Sequence, residues 1–498
     1  MKHVLTCAEM RAADMYTIEE LGVPSSELME RAGAAVADEA EKLLRAGGGA
    51  SVLAVCGGGN NGGDGWCAAR LLAERGWRTA VFAVGEKLSP DCAAQRAKYK
   101  GEVLQAFPEE RFDVIIDALF GTGFRGMPEG AFAEAIGQIN ASGAKVVAAD
   151  IPSGLNGDNG TYKLCVRADV TVAVGELKTG LLVGKGKDVC GKTVRKDIGI
   201  ELPDCQYAQL CEGEDFASFF PPRRCDSNKG SFGRAAILGG CAAYTGAPLL
   251  SAAAALRGGC GYTELCVPAE LFPHYIGKLP EAILTSLPSV DGGLRCEELA
   301  LRLLCYEADA IAVGMGAGRS RSLYGVLSYL LSNFGGTLIL DADALNTLAE
   351  CGISVLKESR AGSVVLTPHP GEFSRLCGES VQRLRENGAE IAQSFAAEYG
   401  VCVLLKNNVT LLADGNRVRY VASGTPALAK GGSGDVLAGL LASIAARGIP
   451  AGDAALCASW LLGRAGALAA EALGSEYSVC AHDVIAQIPR AIAEVAKA

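Results

Sequence analysis

Residues 424–441 read GTPALAKGGSGDVLAGLL: a glycine loop, one carboxylate, then a smooth apolar helix. Gly431, Gly432 and Gly434 lack a Cβ, so backbone N–H groups can converge on a ligand there. The segment that follows is a strong helix former. A helix starting near Ser433 points its unpaired N–H groups and positive dipole end into that loop, a natural place for phosphate or a developing oxyanion. Asp435 stands in the first turn, where a carboxylate repels phosphate unless it has another task. Taking a proton from a hydroxyl that attacks phosphorus is such a task. A capped helix after a glycine turn explains the same letters, so the rest of the chain must decide.

Working outward, the 498 residues predict two to four domains. Half the chain is apolar and 64 residues are Gly without a Gly-X-Y period, which predicts many tight turns between strands and helices. A net charge of −10 with no basic run argues against a nucleic-acid partner, so small molecules are expected. The opening MKHVLTCAEMRAADMYTIEE carries acidic residues where a signal peptide is apolar, and no apolar run approaches a membrane span, so a cytoplasmic protein is expected. The 19 cysteines are scattered, odd in number and free of CxxC pairs, which reads as reduced packing residues. His3, His274, His369 and His482 have no zinc-ligand spacing.

Over the first 200 residues apolar strands alternate with helices, the pattern of a mostly parallel sheet covered on both faces. Strands are expected at 52–56, 79–84, 114–118, 145–149 and 170–174, preceded by an amphipathic helix over 25–45 with Leu28, Ala32, Val36 and Leu43 or Leu44 on one face. The stretch 202–224, acidic and then Pro-Pro-Arg-Arg, reads as a linker, with the boundary near 215–225. A second alternating series follows at 234–239, 310–314, 337–340, 364–367 and 401–405 and closes with three helices. The halves share no sequence repeat and read as two different folds, 1–215 and 226–498.

In the first half, CGGGNNGGDG at 56–65 follows a strand and opens a helix, and Gly57, Gly59 and Gly62 satisfy the GxGxxG pattern. Asn60, Asn61 and Asp64 crowd that loop, and Asp64 is poorly placed beside a pyrophosphate. A more polar and more specific ligand is expected than a dehydrogenase cofactor. The loops DALFGTG (117–123) and DIPSG (150–154) leave strand ends that share one crevice in an open α/β sheet. Two carboxylates, an amide and a hydroxyl there suit a hard cation.

The NNGGDG, DALFGTG and DIPSG loops, in that order, resemble the NAD(P)H-hydrate epimerase family. The resemblance implies a Rossmann-like three-layer domain. It implies that Asn60, Asn61, Gly62, Gly63 and Asp64, with Gly121, Thr122, Gly123, Phe124, Arg125, Gly126 and Met127, contact a hydrated nicotinamide nucleotide. It further implies that Asn61, Asp117 and Ser153 hold K+, and that Asp150 lies at the reacting ring as a catalytic residue.

In the second half, the order KGSFG (229–233), YTGA (244–247), GMG (314–316), LDADAL (340–345), TPHPGE (367–372), LK (405–406) and GGSGD (431–435) resembles the ADP/ATP-dependent NAD(P)H-hydrate dehydratase family of ribokinase-like α/β fold. The resemblance implies that Ala247, Gly316, His369 and Asp435 contact the hydrate, and that Lys406, Asn407, Asn408, Val409, Thr410 and Gly434 contact the nucleotide. Asn407 and Asn408 stand where a glycine is expected, and Lys430 and Ser433 where threonines are common, which bears on nucleotide preference.

Together the resemblances imply a bifunctional isomerase and lyase acting on NADHX and NADPHX. Asp435 takes the proton of the ring C6 hydroxyl as it attacks the terminal phosphoryl group of Mg2+-bound ADP, with ATP as the other candidate nucleotide. Loss of phosphate and of the C5 proton then restores the reduced nicotinamide. The dehydration takes the S epimer, and the first domain supplies it from the R epimer. Homo-oligomeric assembly is expected. The competing reading is a ribokinase-like small-molecule kinase fused to a nucleotide-binding domain; the three polar loops of the first half are what such a fusion would not need.

Overall fold

The computed structural model describes residues 1–497 and divides into two compact units, Lys2–Ala208 and the chain from Gln209 onward. In the first unit, β1 (Ser51–Cys56), β2 (Arg78–Ala83), β3 (Glu102–Leu104), β4 (Val114–Ala118), β5 (Lys145–Ala149), β6 (Val170–Val174) and β7 (Lys192–Lys196) form one parallel sheet. Their order is β3-β2-β1-β4-β5-β6-β7. Every residue of β1 is buried, because a parallel sheet covered on both faces needs an unbroken apolar run. Helix α1 (Ser25–Gly47) buries Leu28, Ala32, Val36, Ala40 and Leu44 along one stripe and ends where Gly48 takes a φ of 65°. Helix α2 (Asn60–Glu74) leaves the end of β1, and α3 (Pro90–Lys98) and α4 (Gly130–Ala141) follow in the chain. The strand order reverses between β1 and β4, which opens a crevice beyond their carboxyl ends.

The five expected strands stand within a residue of their predicted places. The edge strands β3 and β7 escaped the sequence reading because charged Glu102, Lys192, Arg195 and Lys196 blur their pattern, as edges commonly require. A separate parallel ladder pairs Lys2–Leu5 with Leu177–Lys178.

The second unit holds β8 (Arg234–Leu238), β9 (Tyr262–Pro268), β10 (Ile283–Leu287), β11 (Ala310–Val313), β12 (Thr337–Leu340), β13 (Ser363–Leu366), β14 (Cys402–Leu405), β15 (Thr410–Ala413) and β16 (Val418–Val421). They run in the order β10-β9-β8-β11-β12-β13-β14-β15-β16, parallel except where β15 meets its two neighbours. Strand β9 was missed because it carries a carboxylate in mid-strand. Glu264 is nonetheless buried, accepting a 2.6 Å hydrogen bond from Thr285 Oγ1 and facing Arg234. The stretch read as a linker is partly built into this unit: Gly213–Phe219 is a short 3-10 helix whose Phe216 is buried in the core.

Helices α5 (Gly246–Gly258), α6 (Ser433–Ala446), α7 (Ala451–Leu473) and α8 (Ala481–Val495) complete it. Every residue of α6 from Val436 to Ala446 is buried, the mark of a core helix apolar on all sides. Each of its leucines contributes about 1.5–3 kcal/mol of burial. A Cβ on Gly439 would lie 1.8 Å from the Ser251 carbonyl oxygen, so this glycine permits the close approach of α6 to α5. That approach sets the two helix starts side by side. Helix α7 is long and apolar enough to cross a membrane, but most of it is buried within this unit.

Candidate functional site

In the first unit, the carboxyl ends of β1, β4 and β5 deliver the three polar loops to one crevice. Asp117, at the end of β4, is fully buried and accepts from Ser153 Oγ at 2.6 Å and Ser153 N at 2.8 Å. Burial pushes its carboxyl up to about 6 against the opposing pull of those bonds. Asn61 Nδ2 donates to the Phe120 carbonyl at 2.8 Å, and Ser153 Oγ accepts from Phe120 N at 2.9 Å. Phe120 therefore ties Asn61, Asp117 and Ser153 into one cluster. Asn61 Oδ1 is buried without a hydrogen-bond partner, an oxygen left free for a hard cation. The donor set, one carboxylate, one amide oxygen and one hydroxyl, fits K+.

Asn60 accepts from Ser89 Oγ at 2.7 Å at the rim. Gly62 and Gly63 are buried: a Cβ on Gly62 would lie 1.9 Å from the Gly57 carbonyl oxygen, and one on Gly63 2.6 Å from Met29 Sδ. Their part is to let the loop fold tightly. In the 121–127 loop, the Thr122 carbonyl accepts from Arg11 at 2.9 Å and Arg125 faces Asp158 at 3.2 Å, while Phe124 stacks on Phe120 at 4.5 Å between centroids. Gly123, Gly126 and Met127 stay exposed.

Asp150 adopts a φ of 66°, a strained conformation for a residue with a Cβ. Its Oδ1 accepts from Lys178 Nζ at 2.5 Å, and Lys178 is 1% exposed. Sequence reasoning missed Lys178; its one visible cue is a lone cation inside the apolar stretch 170–183. Asp64 and Asp14 feel the same centre. Burial, then the charges of Asp150 and Asp14, holds the Asp64 carboxyl well above the usual range. Burial pushes Asp14 up to about 6, with Lys178 pulling down and Asp150 pushing up.

In the second unit, the carboxyl ends of β8, β11, β12, β13 and β14 carry the remaining motifs along one edge of the sheet. Gly316 takes a φ of 63°, and a Cβ there would lie 3.1 Å from Ala247 Cβ, so those two residues meet. Lys406 Nζ donates to Asp341 Oδ1 at 2.7 Å, and a Cβ on Gly434 would lie 3.5 Å from the same Nζ. Lys406 N also donates to the Pro368 carbonyl at 2.8 Å, joining the TPH loop to the end of β14. Gly432, with a φ of 98°, precedes α6, whose first turn carries no side-chain cap. Those amides are oriented for an anion. Asp435 sits among them with its carboxyl pushed up to about 6, by burial first and then by the charge of Asp341, with Lys406 opposing.

His369 is the N-cap of Pro370–Cys377: its Nδ1 accepts from Gly371 N at 3.0 Å, and its side chain is 54% exposed. Asn407 and Asn408 fold back on their own loop, each side chain accepting from the next backbone N–H at 2.9 Å. Val409 and Thr410 are buried at the start of β15. A His/Cys/carboxylate grouping, Cys480, His482 and Asp483, is exposed at the start of α8, where Asp483 caps Cys480 N at 2.9 Å.

A family model described as NAD(P)H-hydrate dehydratase matches residues 235–490, and one described as YjeF-related protein N-terminus matches residues 25–180. The bifunctional NAD(P)H-hydrate repair enzyme Nnr of Thermofilum pendens is 34% identical over 494 residues, covering 95% of this chain and 93% of that relative. The chain belongs to the bifunctional NAD(P)H-hydrate repair enzyme family. Another relative of that name, from Pyrobaculum aerophilum, is 37% identical over 511 residues and covers 98% of both chains. A solved ribokinase-like superfamily protein of Enterococcus faecalis V583, with TM-score 0.50 and 24% identity, covers 60% of this chain and 100% of its own, which bears out the ribokinase-like fold of the second half. The two family matches lie over the two units that carry the polar crevice and the α6 cradle.

Proposed function

We propose that the chain restores hydrated nicotinamide nucleotides to NADH and NADPH in two steps, one in each unit. The first unit interconverts the R and S hydrates; the second dehydrates the S form using ADP. The observation that carries this reading is the place of Asp435, in the first turn of an uncapped helix beside Lys406 and Asp341, where burial pushes its carboxyl up to about 6.

Hydroxide is a poor leaving group, so water cannot simply be lost from C6 of the ring. Asp435 takes the hydroxyl proton as that oxygen attacks the terminal phosphoryl group of ADP, and AMP departs. The first-turn amides of α6 and the Lys406 ammonium offset the spreading negative charge. Phosphate then leaves with the C6–O bonding pair as the ring nitrogen lone pair forms a double bond to C6, the C5 proton is lost, and the reduced ring returns. Mg2+ carried by the nucleotide supplies further charge neutralisation when bound. Ala247 and Gly316, small and in mutual contact, leave room for the planar ring, and exposed His369 reaches the hydrate from its cap. Lys406, Asn407, Asn408, Val409, Thr410 and Gly434 hold the nucleotide.

In the first unit, Asn61, Asp117 and Ser153 would hold K+, which supplies a fixed positive charge in the crevice; the unpartnered Asn61 oxygen supports this. Asn60, Asp64 and the 121–127 loop hold the hydrate, and Asp150 moves a proton at the ring. We further propose that the chain is a homo-oligomer and that it acts in the cytoplasm; the nineteen unpaired cysteines support the compartment alone.

The test is an incubation of aged, hydrated NADH with ADP or ATP, reading the return of the reduced-nicotinamide absorbance. If Asp435→Asn keeps repair of the S hydrate within about tenfold of the unmodified chain, the assigned base is wrong.

A further inference from the structure

Lys178 has no part in the scheme above, yet it is among the most deeply buried large side chains in the molecule. An ammonium is costly to take out of water unless it is paired. Here two acceptors hold it: Asp150 Oδ1 at 2.5 Å and the Val174 carbonyl at 2.5 Å. Val174 N donates to the same Asp150 oxygen at 3.3 Å. Both protein donors thus converge on Oδ1, and Oδ2 accepts from none of the described residues. The Lys178 backbone is in turn fixed by pairing with Leu5 in the parallel ladder. A carboxylate held at a strained φ by one buried cation, with one oxygen occupied and the other free, is a preorganised proton carrier.

We propose that Lys178 is the positioning residue of the epimerisation step: it clamps Asp150 through Oδ1 so that Oδ2 faces the hydrated ring and takes and returns its proton. The proposal rests on the reading of the first unit as an epimerase. Asp14 and Asp64 complete the cluster. One cation faces three carboxyl groups here, and burial disfavours the charged form of Asp14 and Asp64. Asp150 Oδ2 takes the C6 hydroxyl proton as the bond from C6 to the ring nitrogen breaks and its electron pair goes to the nitrogen. After rotation about C5–C6 the nitrogen pair closes on the other face of the carbonyl and the proton returns to the oxygen, so no co-reactant is consumed.

The experiment compares Lys178→Met and Lys178→Arg in the full chain, measuring R-to-S conversion across pH and, separately, nucleotide-dependent repair of the S hydrate. Lys178→Met should lower kcat for epimerisation by about a hundredfold or more, with KM changed less than about threefold. The acid limb of its pH profile should move to higher pH, because the cation beside Asp150 is gone. Lys178→Arg should keep the limb in place and recover part of the rate, and both variants should repair S hydrate normally. A Lys178→Met rate within about threefold of the unmodified chain, or a lowered rate with the limb unmoved, overturns the proposal. Should Lys178→Met not fold, Lys178→Arg decides: kcat lowered about tenfold at unchanged KM supports the clamp, and an unmodified rate refutes it. Absence of epimerisation in the unmodified chain is a distinct result, and it overturns the epimerase reading beneath.

Discussion

Replacing Asp435 with Asn should abolish repair and at the same time stabilise the second unit at neutral pH. The Asp435 carboxyl ordinarily titrates at 3.8 and is pushed up to about 6 by burial and by Asp341. The folded state therefore disfavours its charged form. The sign follows: above pH 6 the group is charged in both states and the fold bears the penalty, and below pH 4 it is neutral in both and the penalty is gone. A rise of about two units corresponds to about 3 kcal/mol at pH 7, about 1.6 at pH 5 and about half a kcal/mol at pH 4. Asp435→Asn removes the charge with nearly the same shape, so it should gain about 2–3 kcal/mol at pH 7 and almost nothing at pH 4. Native-state hydrogen exchange of the α6 amides, buried from Val436 onward, reads this unit by itself. A variant less stable than the unmodified chain at pH 7, or an equal gain at both pH values, would refute the reasoning.

Three further outcomes follow from the geometry. Replacing K+ with a large organic cation should slow R-to-S conversion in the unmodified chain, and Asn61→Ala should remove that dependence; a thallium-soaked crystal with no ion among Asn61, Asp117 and Ser153 would count against the site. Gly62→Ala, whose Cβ would meet the Gly57 carbonyl oxygen at 1.9 Å, should abolish epimerisation while sparing repair of S hydrate, measured in separate assays. Gly439→Ala drives a methyl to 1.8 Å from the Ser251 carbonyl oxygen and should cost at least about 1–3 kcal/mol in urea denaturation of the second unit.

How far the sequence could be read depended on whether a residue acts through its neighbours in the chain or across the fold. The GGSGD stretch is local: glycines, a helix start and a first-turn carboxylate are consecutive, and α6 begins at Ser433 as the letters suggest. The core strands were legible because both faces are buried and the apolar run is unbroken. Strand β9 was not, since Glu264 is neutralised by Arg234 and Thr285 from other strands. His369 looked like a ligand-facing residue in the motif, while its first task in the fold is to cap a helix. Lys178 was invisible for the complementary reason. Its partner lies 28 residues away, and only the folded backbone brings the ammonium to Asp150.

The central claim is that two sites in one chain divide a single repair. Purified R hydrate of NADH, supplied with ADP and Mg2+, should be converted fully to NADH by the unmodified chain, as read by the return of absorbance at the reduced-nicotinamide band. Asp150→Ala should repair S hydrate at the unmodified rate and leave R hydrate largely unrepaired. Equal loss on both epimers in Asp150→Ala, or no nucleotide-dependent recovery from either epimer in the unmodified chain, would contradict the account.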